Sequence, residues 1–599
     1  MAKKTFERLG VTYGGSMDCR RNNTIELGWE KTNGPYGGFI RRLLAAPDGT
    51  LYASIEGGGV FRSEDAGDSW TEIYTGLPGL PWRPSRVVAF AFLGNTLYAG
   101  TLGAGVLRSE DRGNSLTQTG LTKPGVASFA ILGTALYAGT YGGGVFRSED
   151  GGDSWAEVNT GLTNLVVEAL VVLGTTLYAG TRGGGVFRRE DGGDSWTQAG
   201  LADLEIRALA ALGKSLYAGA TVVGPLDAGG IFRSEDGGDS WTRIGSRPGW
   251  ALAASGTTLY AAQGGGVFRS VDAGDSWTQT GLENMCVTSF TILGTTLYAG
   301  SGGGVFRLED GAVSWSQINK GLTGTEIHSW AVLGETIYVG TRPCCGIFRS
   351  EDRGDSWTQI STGLTNLHAL TVRSLAALGE AIYAGTEDGV FRSVDKGDSW
   401  KQTGLQGLCV WSLALLGETL YAGTSDGVYR SADRGDLWMR VNQGAMSTHV
   451  QALAILGKTI YAGTYREGVF RSEDGGDSWT EINTGLTRLE VSAFALLGKI
   501  LYTGIPQGGV FRSEDGGDSW TQVNTDLTNL YVLSLAALGT TLYAGTYGGG
   551  VFRSEDGGDS WTQINTGLTN LAVLSFLALG DILYAGTHGG GIFRTSLYR

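Results

Sequence analysis

The chain has 599 residues, a formal net charge of −14 at pH 7, 41% hydrophobic residues and 101 glycines. It is too long for one ordinary core, and its 17 tryptophans and apolar content exclude a disordered chain. The acidic balance argues against nucleic-acid binding and against docking on an anionic membrane, because both need a basic surface.

The N-terminal segment 1–26 matches no later part of the chain and is predicted to be an arm or cap. It has no apolar h-region, and no apolar run in the chain approaches the ~20 residues of a membrane helix. Neither a signal peptide nor membrane insertion is therefore expected. The five cysteines and four histidines show no ligand spacing, so no metal and no cofactor is predicted. The pair Cys344–Cys345 is consistent with a strained disulfide, a reactive thiol or two buried small residues.

From residue 27 onward one phrase, GGVFRSEDGGDSW or a close variant, recurs in thirteen copies. A period of about 40 residues predicts a solenoid, a propeller or an array. The copy at 530–564 shows the internal pattern: apolar runs at 532–538, 542–546, 551–555 and 561–564 are separated by glycine-rich turns. Four short antiparallel strands, here called A to D, are typical of one propeller blade.

The turn between strands C and D resembles the Asp-box, Ser-x-Asp-x-Gly-x-Thr-Trp, with Ser in place of Thr. Through this motif nearly the whole chain resembles BNR/Asp-box repeat proteins. That group includes sialidases, sortilin-type receptors, photosystem II assembly factors and two-propeller xyloglucan hydrolases. The resemblance implies that these turns lie on the outer rim, away from an active face.

The repeated Asp-box residues are predicted to be structural. The aspartate accepts hydrogen bonds from nearby backbone N–H groups, the glycine takes a positive φ, and the tryptophan wedges between neighbouring blades. The alternative is a set of catalytic or calcium-binding carboxylates. The positions singled out are Asp65, Gly67, Trp70, Asp150, Gly152, Trp155, Asp515, Gly517, Trp520, Asp556, Gly558 and Trp561.

A tyrosine in strand B marks fourteen units, one more than the number of C–D turns. The chain ends in or just after a strand C, and segment 27–34 resembles a strand D, so the first strand is predicted to complete a late blade. Fourteen blades in one ring would leave a wide empty centre. We therefore predict an all-β fold of two tandem seven-bladed propellers, built from fourteen four-stranded Asp-box repeats of about 41 residues.

The domain boundary is predicted at the turn 308–315, which has lost the leading Ser and the motif Gly. The resulting bounds are 27–309 and 310–599, each half opening with a lone strand D and ending with a strand C. Random drift of the motif is the alternative explanation, since the turns at Ser109 and Ser431 also deviate.

The loops between strands B and C differ most from unit to unit, and the longest is at 221–228. Together with the D–A loops they form one face, which we predict binds a protein or glycan; free surface drift is the alternative. The candidate ligand-binding residues on this face are Tyr141, Arg182, Arg342, Tyr465, Tyr547 and His588.

Two enzyme classes are alternatives to a binding protein. Residues 29–53 resemble the start of xyloglucan hydrolases, which implies a catalytic carboxylate where this chain has Glu56. An inverting pair needs a second carboxylate about 6.5–9.5 Å away, for which Glu387, Asp388 and Asp426 are candidates. A sialidase needs an arginine triad, and the arginines near strands A show no pattern; they are Arg41, Arg42, Arg86, Arg207 and Arg373.

The preferred interpretation is a non-enzymatic scaffold that binds a protein or glycan through its loop face or inter-propeller cleft. The alternative is a glycoside hydrolase of the two-propeller, xyloglucanase-like type. The sequence predicts no oligomeric state.

Overall fold

The structure, a computed structural model, describes residues 28–596 with gaps at 35, 57–58, 75–85, 222–228, 248, 264–265, 284, 310–313, 321–324, 343–344, 365–369 and 443–448. The predicted arm at 1–26, most of the long loop at 221–228 and Cys344 lie outside the described residues. Within these ranges the chain forms fifty-six short β-strands and no helix. The described part accordingly has no helix that could cross a membrane.

The strands form fourteen antiparallel sheets of four, each one blade. The bounds of strands A to D in blades 1 to 7 are Ile40–Ala45, Leu51–Ile55, Val60–Ser63 and Thr71–Tyr74; Val87–Leu93, Thr96–Thr101, Val106–Ser109 and Thr117–Gln118; Val126–Leu132, Ala135–Thr140, Val145–Ser148 and Ala156–Glu157; Val167–Leu173, Thr176–Thr181, Gly185–Glu190 and Thr197–Gln198; Glu205–Leu212, Ser215–Thr221, Gly230–Ser234 and Thr242–Gly245; Gly249–Ser255, Thr258–Gln263, Gly266–Ser270 and Thr278–Gly281; Val287–Leu293, Thr296–Ser301, Gly304–Leu308 and Ser316–Gln317.

In blades 8 to 14 the bounds are Glu326–Leu333, Thr336–Arg342, Ile347–Ser350 and Thr358–Gln359; Val372–Leu378, Ala381–Thr386, Gly389–Ser393 and Lys401–Gly404; Val410–Leu416, Thr419–Thr424, Gly427–Ser431 and Met439–Arg440; Val450–Leu456, Thr459–Thr464, Val469–Ser472 and Thr480–Glu481; Ala493–Leu497, Ile500–Ile505, Gly509–Ser513 and Thr521–Gln522; Val532–Leu538, Thr541–Thr546, Gly550–Ser554 and Thr562–Gln563; Val573–Leu579, Ile582–Thr587, Ile592–Ser596 and Glu30–Lys31.

The blades close into two rings of seven, which confirms the predicted fold. Strand A of blade 7 packs against strand A of blade 1, where the Leu43 N–H donates to Ser289 Oγ at 3.0 Å. Strand A of blade 14 packs against that of blade 8, where Trp330 Nε1 donates to Ser575 Oγ at 2.9 Å. Blades 1–7 therefore form the first ring and blades 8–14 the second.

The pairing of two short strands corrects the predicted domain bounds. Glu30–Lys31 pairs with Ile592–Ser596, so the N-terminal strand does complete a late blade, and that blade belongs to the second ring. Ser316–Gln317 pairs with Gly304–Leu308 and completes blade 7 of the first ring. The fourth strand of each ring thus lies on the other side of the boundary predicted at 309/310. The two strands on either side of the altered Asp-box turn therefore still form a hairpin. Trp315 packs as in the other blades, with Nε1 donating to Thr280 O at 3.1 Å.

The Asp-box is a self-contained clip. In blade 1 the Ser63 hydroxyl donates to Asp65 Oδ1 at 2.7 Å and accepts from the Gly67 N–H at 2.8 Å. Asp65 Oδ1 also accepts from the Ser69 N–H at 2.9 Å. Gly67 has φ +95°, and a Cβ there would lie 2.3 Å from Ile318 Cδ1. Backbone conformation and the neighbouring blade both therefore require glycine.

The aspartates of these clips are strong acids for a carboxyl group. Hydrogen bonds from the serine hydroxyl and backbone N–H four residues later lower the pKa of Asp150, Asp515 and Asp556 to about 2. The carboxylates are fully used inside their own turns, which supports the structural interpretation of the motif.

Each Asp-box turn is also bound by the preceding blade. The buried Trp520 lies between blades 11 and 12, with Nε1 donating to Ile482 O at 2.8 Å. Tyr461 of blade 11 donates its hydroxyl to Gly516 O at 3.0 Å, and Arg471 pairs with Asp518 at 2.8 Å. The strand B tyrosine and strand C arginine are thus inter-blade contacts, a role that the sequence analysis did not assign to them.

We predict that Trp520→Ala lowers the free energy of unfolding by about 3–5 kcal/mol, because it leaves a cavity between two blades and an unpaired carbonyl. Urea unfolding followed by near-ultraviolet circular dichroism would measure it. Leu437→Ala is the control, since Leu437 is 72% exposed at an Asp-box turn. A loss within about 0.5 kcal/mol of the control would contradict the inter-blade role.

We also predict that Trp29→Ala and Trp315→Ala perturb different rings. Trp29 Nε1 donates to Ile564 O at 2.7 Å, so its loss should accelerate amide hydrogen exchange in blades 13 and 14. Trp315→Ala should accelerate exchange in blades 6 and 7. Faster exchange of blades 1 and 7 in Trp29→Ala would instead support the bounds predicted from the sequence.

Candidate functional site

A β-bulge near the start of strand A sets the chemistry of each ring's mouth. In most blades the pairing of strand A with strand B shifts by one residue after the first or second residue of strand A. The residue at this bulge is unpaired, and a bulge changes the direction in which its side chain points. About half of the copies carry a small or neutral residue at this position. The others bear charge or an aromatic ring; they are Arg41, Glu168, Arg207, Trp250, His328, Arg373 and Trp411.

The first ring's mouth holds two ion-pair clusters. Glu56 lies between Arg41 and Arg86 and pairs with both. In the other cluster, Arg182 Nε lies 2.9 Å from Glu205 and 2.7 Å from Glu168. Arg207 contacts the same two carboxylates, at 2.9 Å for Glu205 and 3.5 Å for Glu168. The structure therefore brings together arginines that looked unpatterned in the sequence.

A cavity of about 210 Å³ opens in the centre of the first ring. Its wall includes Arg42, Glu168, Arg207 and Trp250, each from the strand A of a different blade. Trp250 is 52% exposed, and the Arg207 guanidinium lies 6.0 Å from the centroid of its indole. The cavity thus combines positive charge with an open aromatic face.

The second ring's mouth has a charged sector on blades 8, 9 and 14. Glu326 is buried and lies 3.1 Å from His588 and 3.6 Å from His328. Burial works against it, but the neighbouring His328 and the charges of His588 and Arg342 hold the pKa of Glu326 well below its ordinary value. Burial lowers the pKa of His328 to about 4, although Glu326 acts in the opposite direction.

Aromatic rings on blades 10, 11, 13 and 14 of this ring form an aromatic belt. We use this name for Trp411, His449, Tyr465, Tyr531, Tyr547 and His588. Neighbouring ring centroids are 6.3 Å apart for Trp411–His449 and His449–Tyr465, 5.8 Å for Tyr531–Tyr547 and 5.9 Å for Tyr547–His588. Arg373 joins the belt to the charged sector, because its guanidinium lies 3.8 Å from the Trp411 ring centroid and pairs with Glu387.

An open groove of about 410 Å³ adjoins the belt at blades 11 and 12. It is lined by Tyr465, Arg466, Arg488, Leu489, Glu490 and Pro506. Burial raises the pKa of Glu490 in this groove. Aromatic, cationic and carboxylate groups therefore surround one recess on the loop face.

The predicted ligand-binding residues fall into two separate groups. Tyr141 and Arg182 lie at the mouth of the first ring, whereas Arg342, Tyr465, Tyr547 and His588 lie at the mouth of the second. Glu168, Glu205, Trp250, Glu326, His328 and Trp411 were not predicted from the sequence. A signal for four of them was present, because Glu168, Trp250, His328 and Trp411 occupy the variable bulge position of strand A.

The four candidate catalytic carboxylates are engaged within their own rings. Besides the ion pairs of Glu56 and Glu387, Asp388 Oδ1 accepts from the Gly407 N–H at 2.9 Å. Asp426 accepts from the Tyr429 hydroxyl at 3.0 Å and lies 3.3 Å from Arg440. Among the described residues, no contact joins Glu56 to a carboxylate of the second ring.

The rings meet where the loops of blades 7 and 1 adjoin those of blades 8 and 14. Cys345 Sγ contacts Gly302 O across this junction, and Lys31 Nζ pairs with Glu72 at 2.7 Å. Cys345 is fully buried. Neither the aromatic belt nor the first ring's cavity uses these residues.

Comparisons with known proteins agree with the architecture. The BNR-Asp box repeat matches residues 347–360, and the DUF6242 beta propeller domain matches residues 437–575. No curated protein matches the chain.

Solved structures with similar folds include the GH74 xyloglucanase from Xanthomonas campestris, with TM-score 0.65 and 19% identity over 95% of this chain and 100% of that one. An ancestral GH74 enzyme has TM-score 0.67 and 18% identity over 95% and 99%. The Niastella koreensis GH74 enzyme has TM-score 0.61 and 18% identity over the same shares. At such identity the likeness concerns the fold alone.

We predict that His328 makes the protein less stable in acid. The ordinary pKa of histidine is 6.5, whereas the pKa of His328 in the folded protein is about 4. Between these two pH values His328 is protonated in the unfolded chain and neutral in the folded protein. The free energy of unfolding is therefore unaffected by His328 above pH 6.5. It falls as the pH drops towards 4, by at most about 3 kcal/mol. Melting temperatures between pH 7 and 4 should fall less steeply in His328→Gln.

The control is His449→Gln, because His449 is exposed and stands apart from Glu326. Equal pH dependence in wild type and His328→Gln would show that His328 carries none of the acid sensitivity.

Proposed function

We propose that this protein, two seven-bladed rings of BNR-Asp box repeats, is a non-enzymatic scaffold that binds a glycan on the loop face of its second ring. The observation that carries the proposal is the aromatic belt, which consists of two runs of three rings, on blades 10 and 11 and on blades 13 and 14, with ring spacings near 6 Å within each run. Elsewhere in the chain most aromatic side chains are buried between blades.

The chemistry of the belt suits a sugar. A pyranose ring has a face of C–H groups that packs on an aromatic ring, and equatorial hydroxyls that bond to polar groups at its edge. The belt supplies the rings. Glu490, Arg466 and Arg488 line the adjoining groove of about 410 Å³, which is within the range of about 300–1,000 Å³ that ligand pockets occupy. A chain of several sugars would span belt and groove together.

The hydrolase alternative receives less support from the carboxylates. Inverting hydrolysis needs one carboxyl group to donate a proton and another to activate water from the opposite side of the sugar. Glu56 is held by two guanidiniums. Glu387 pairs with Arg373, and Asp388 accepts a hydrogen bond within its own loop. These groups are occupied in fixing loops, so the geometry favours binding over cleavage.

The test is binding of xyloglucan and mixed-linkage β-glucan, measured by affinity electrophoresis and calorimetry. Trp411→Ala and Tyr547→Ala should each weaken binding about 10- to 100-fold, because an aromatic stacking partner contributes roughly 1–3 kcal/mol. Leu437→Ala, at an Asp-box turn, should bind like the wild type. Equal affinity in all four proteins, or binding to none of the glycans, would contradict the proposal and turn the search to a protein partner.

Release of reducing sugar from the same glycans tests the alternative directly. We expect none. Glu56→Gln should lower stability by roughly 1–3 kcal/mol, since it strands two partly exposed guanidiniums, so it must be assayed well below its melting temperature. Release by the wild type that vanishes in the folded Glu56→Gln variant would replace the scaffold with a glycoside hydrolase.

A further inference from the structure

We propose that the mouth of the first ring binds an oxyanion, a carboxylate or a sulfate, carried by a single sugar residue, with Arg42 as its principal partner. This site lies in the other ring from the aromatic belt. It goes beyond the proposed function and does not depend on it.

The charge balance of this mouth is opposite to that of the whole protein. Within the described part of the mouth, five guanidiniums face three carboxylates, although the chain has a net charge of −14. Arg182 and Arg207 share Glu168 and Glu205, so that cluster is neutral. Glu56 balances only one of its two arginines. The excess positive charge therefore falls on blade 1 and on Arg42.

Arg42 is the least compensated of these groups. Among the described residues it donates hydrogen bonds only to the carbonyl oxygens of Arg41 and Thr288, at 3.3 and 3.4 Å, and it forms no ion pair. It stands in the wall of the central cavity, where burial lowers its pKa although the charge of Glu168 acts in the opposite direction. A partly buried guanidinium that contacts no carboxylate is costly, and a bound oxyanion would offset that cost through paired N–H···O bonds.

The surroundings of Arg42 favour a sugar as the carrier of the anion. Trp250 presents a half-exposed indole in the same cavity. Tyr141 is 37% exposed and lies within electrostatic range of Arg41, Arg42 and Arg182. The cavity of about 210 Å³ is smaller than a drug-sized pocket, so it has room for one terminal or side-chain sugar. An acidic peptide would use the charges but leave the indole uncovered.

The experiment uses the full chain and three matched probes. These are an oligogalacturonate, its neutral methyl ester and a sulfated neutral oligosaccharide of the same length, titrated by calorimetry at low and high salt. We expect the oligogalacturonate or the sulfated probe to bind at least tenfold more tightly than the ester, with the preference weakened by salt. Preference for the carboxylate over the sulfate, or the reverse, identifies the anion.

Arg42→Gln should abolish the difference between the charged probes and the ester, and Arg42→Lys should restore part of it. Arg434→Gln, which removes an exposed arginine of the second ring, should change nothing. Unchanged circular dichroism and melting temperature would show that Arg42→Gln is folded. Should that variant not fold, Trp250→Ala serves instead and should weaken all charged probes.

The inference is overturned if the ester binds as tightly as the charged probes. It is also overturned if Arg434→Gln and Arg42→Gln have equal effects, or if a glutamate-rich peptide binds and the charged sugars do not. Tyr547→Ala separates the two proposals. If this variant still binds the charged probes while neutral glycans bind to no site, the first-ring site is retained and the aromatic belt is rejected as a glycan site.

Discussion

The contact between one blade and the Asp-box turn of the next is the interaction on which the rest of the structure depends. A four-stranded blade is too small to bury both its faces alone, so each must pack on two neighbours. The Asp-box presents a rigid carbonyl and a carboxylate to the preceding blade, and a tyrosine and an arginine of that blade bind them. At the ring closures, Tyr298 donates to Ala66 O at 3.1 Å and Tyr584 to Arg353 O at 2.9 Å. The two ring closures therefore use the same tyrosine-to-carbonyl contact as most of the other joints between blades.

This repetition separates stability from function. The Asp-box side of each blade is nearly uniform because every copy must fit the same neighbour. The opposite side carries the B–C loops and the bulged residue of strand A, which meet no repeated partner and are free to differ. Charged and aromatic groups accumulate there without cost to the inter-blade contacts. Framework and candidate sites accordingly occupy opposite faces of the rings.

The two mouths differ in chemistry although the blades that build them are alike. The first is rich in arginine around a narrow cavity, and the second combines a buried Glu–His sector with an aromatic belt. One chain therefore presents two mouths with different chemistry.

The sequence by itself determined the blade and the number of blades, and it predicted a structural role for the Asp-box and the position of the variable loops. Each of these follows from local periodicity and turn chemistry, which a repeated motif displays many times. Only the tertiary structure decided which ring owns each closing strand, because a lone strand D such as Glu30–Lys31 fits any open blade equally well. The same holds for the sites: Arg42, Glu168 and Trp250 are more than eighty residues apart in the chain and line one cavity only when seven strands A converge on one axis.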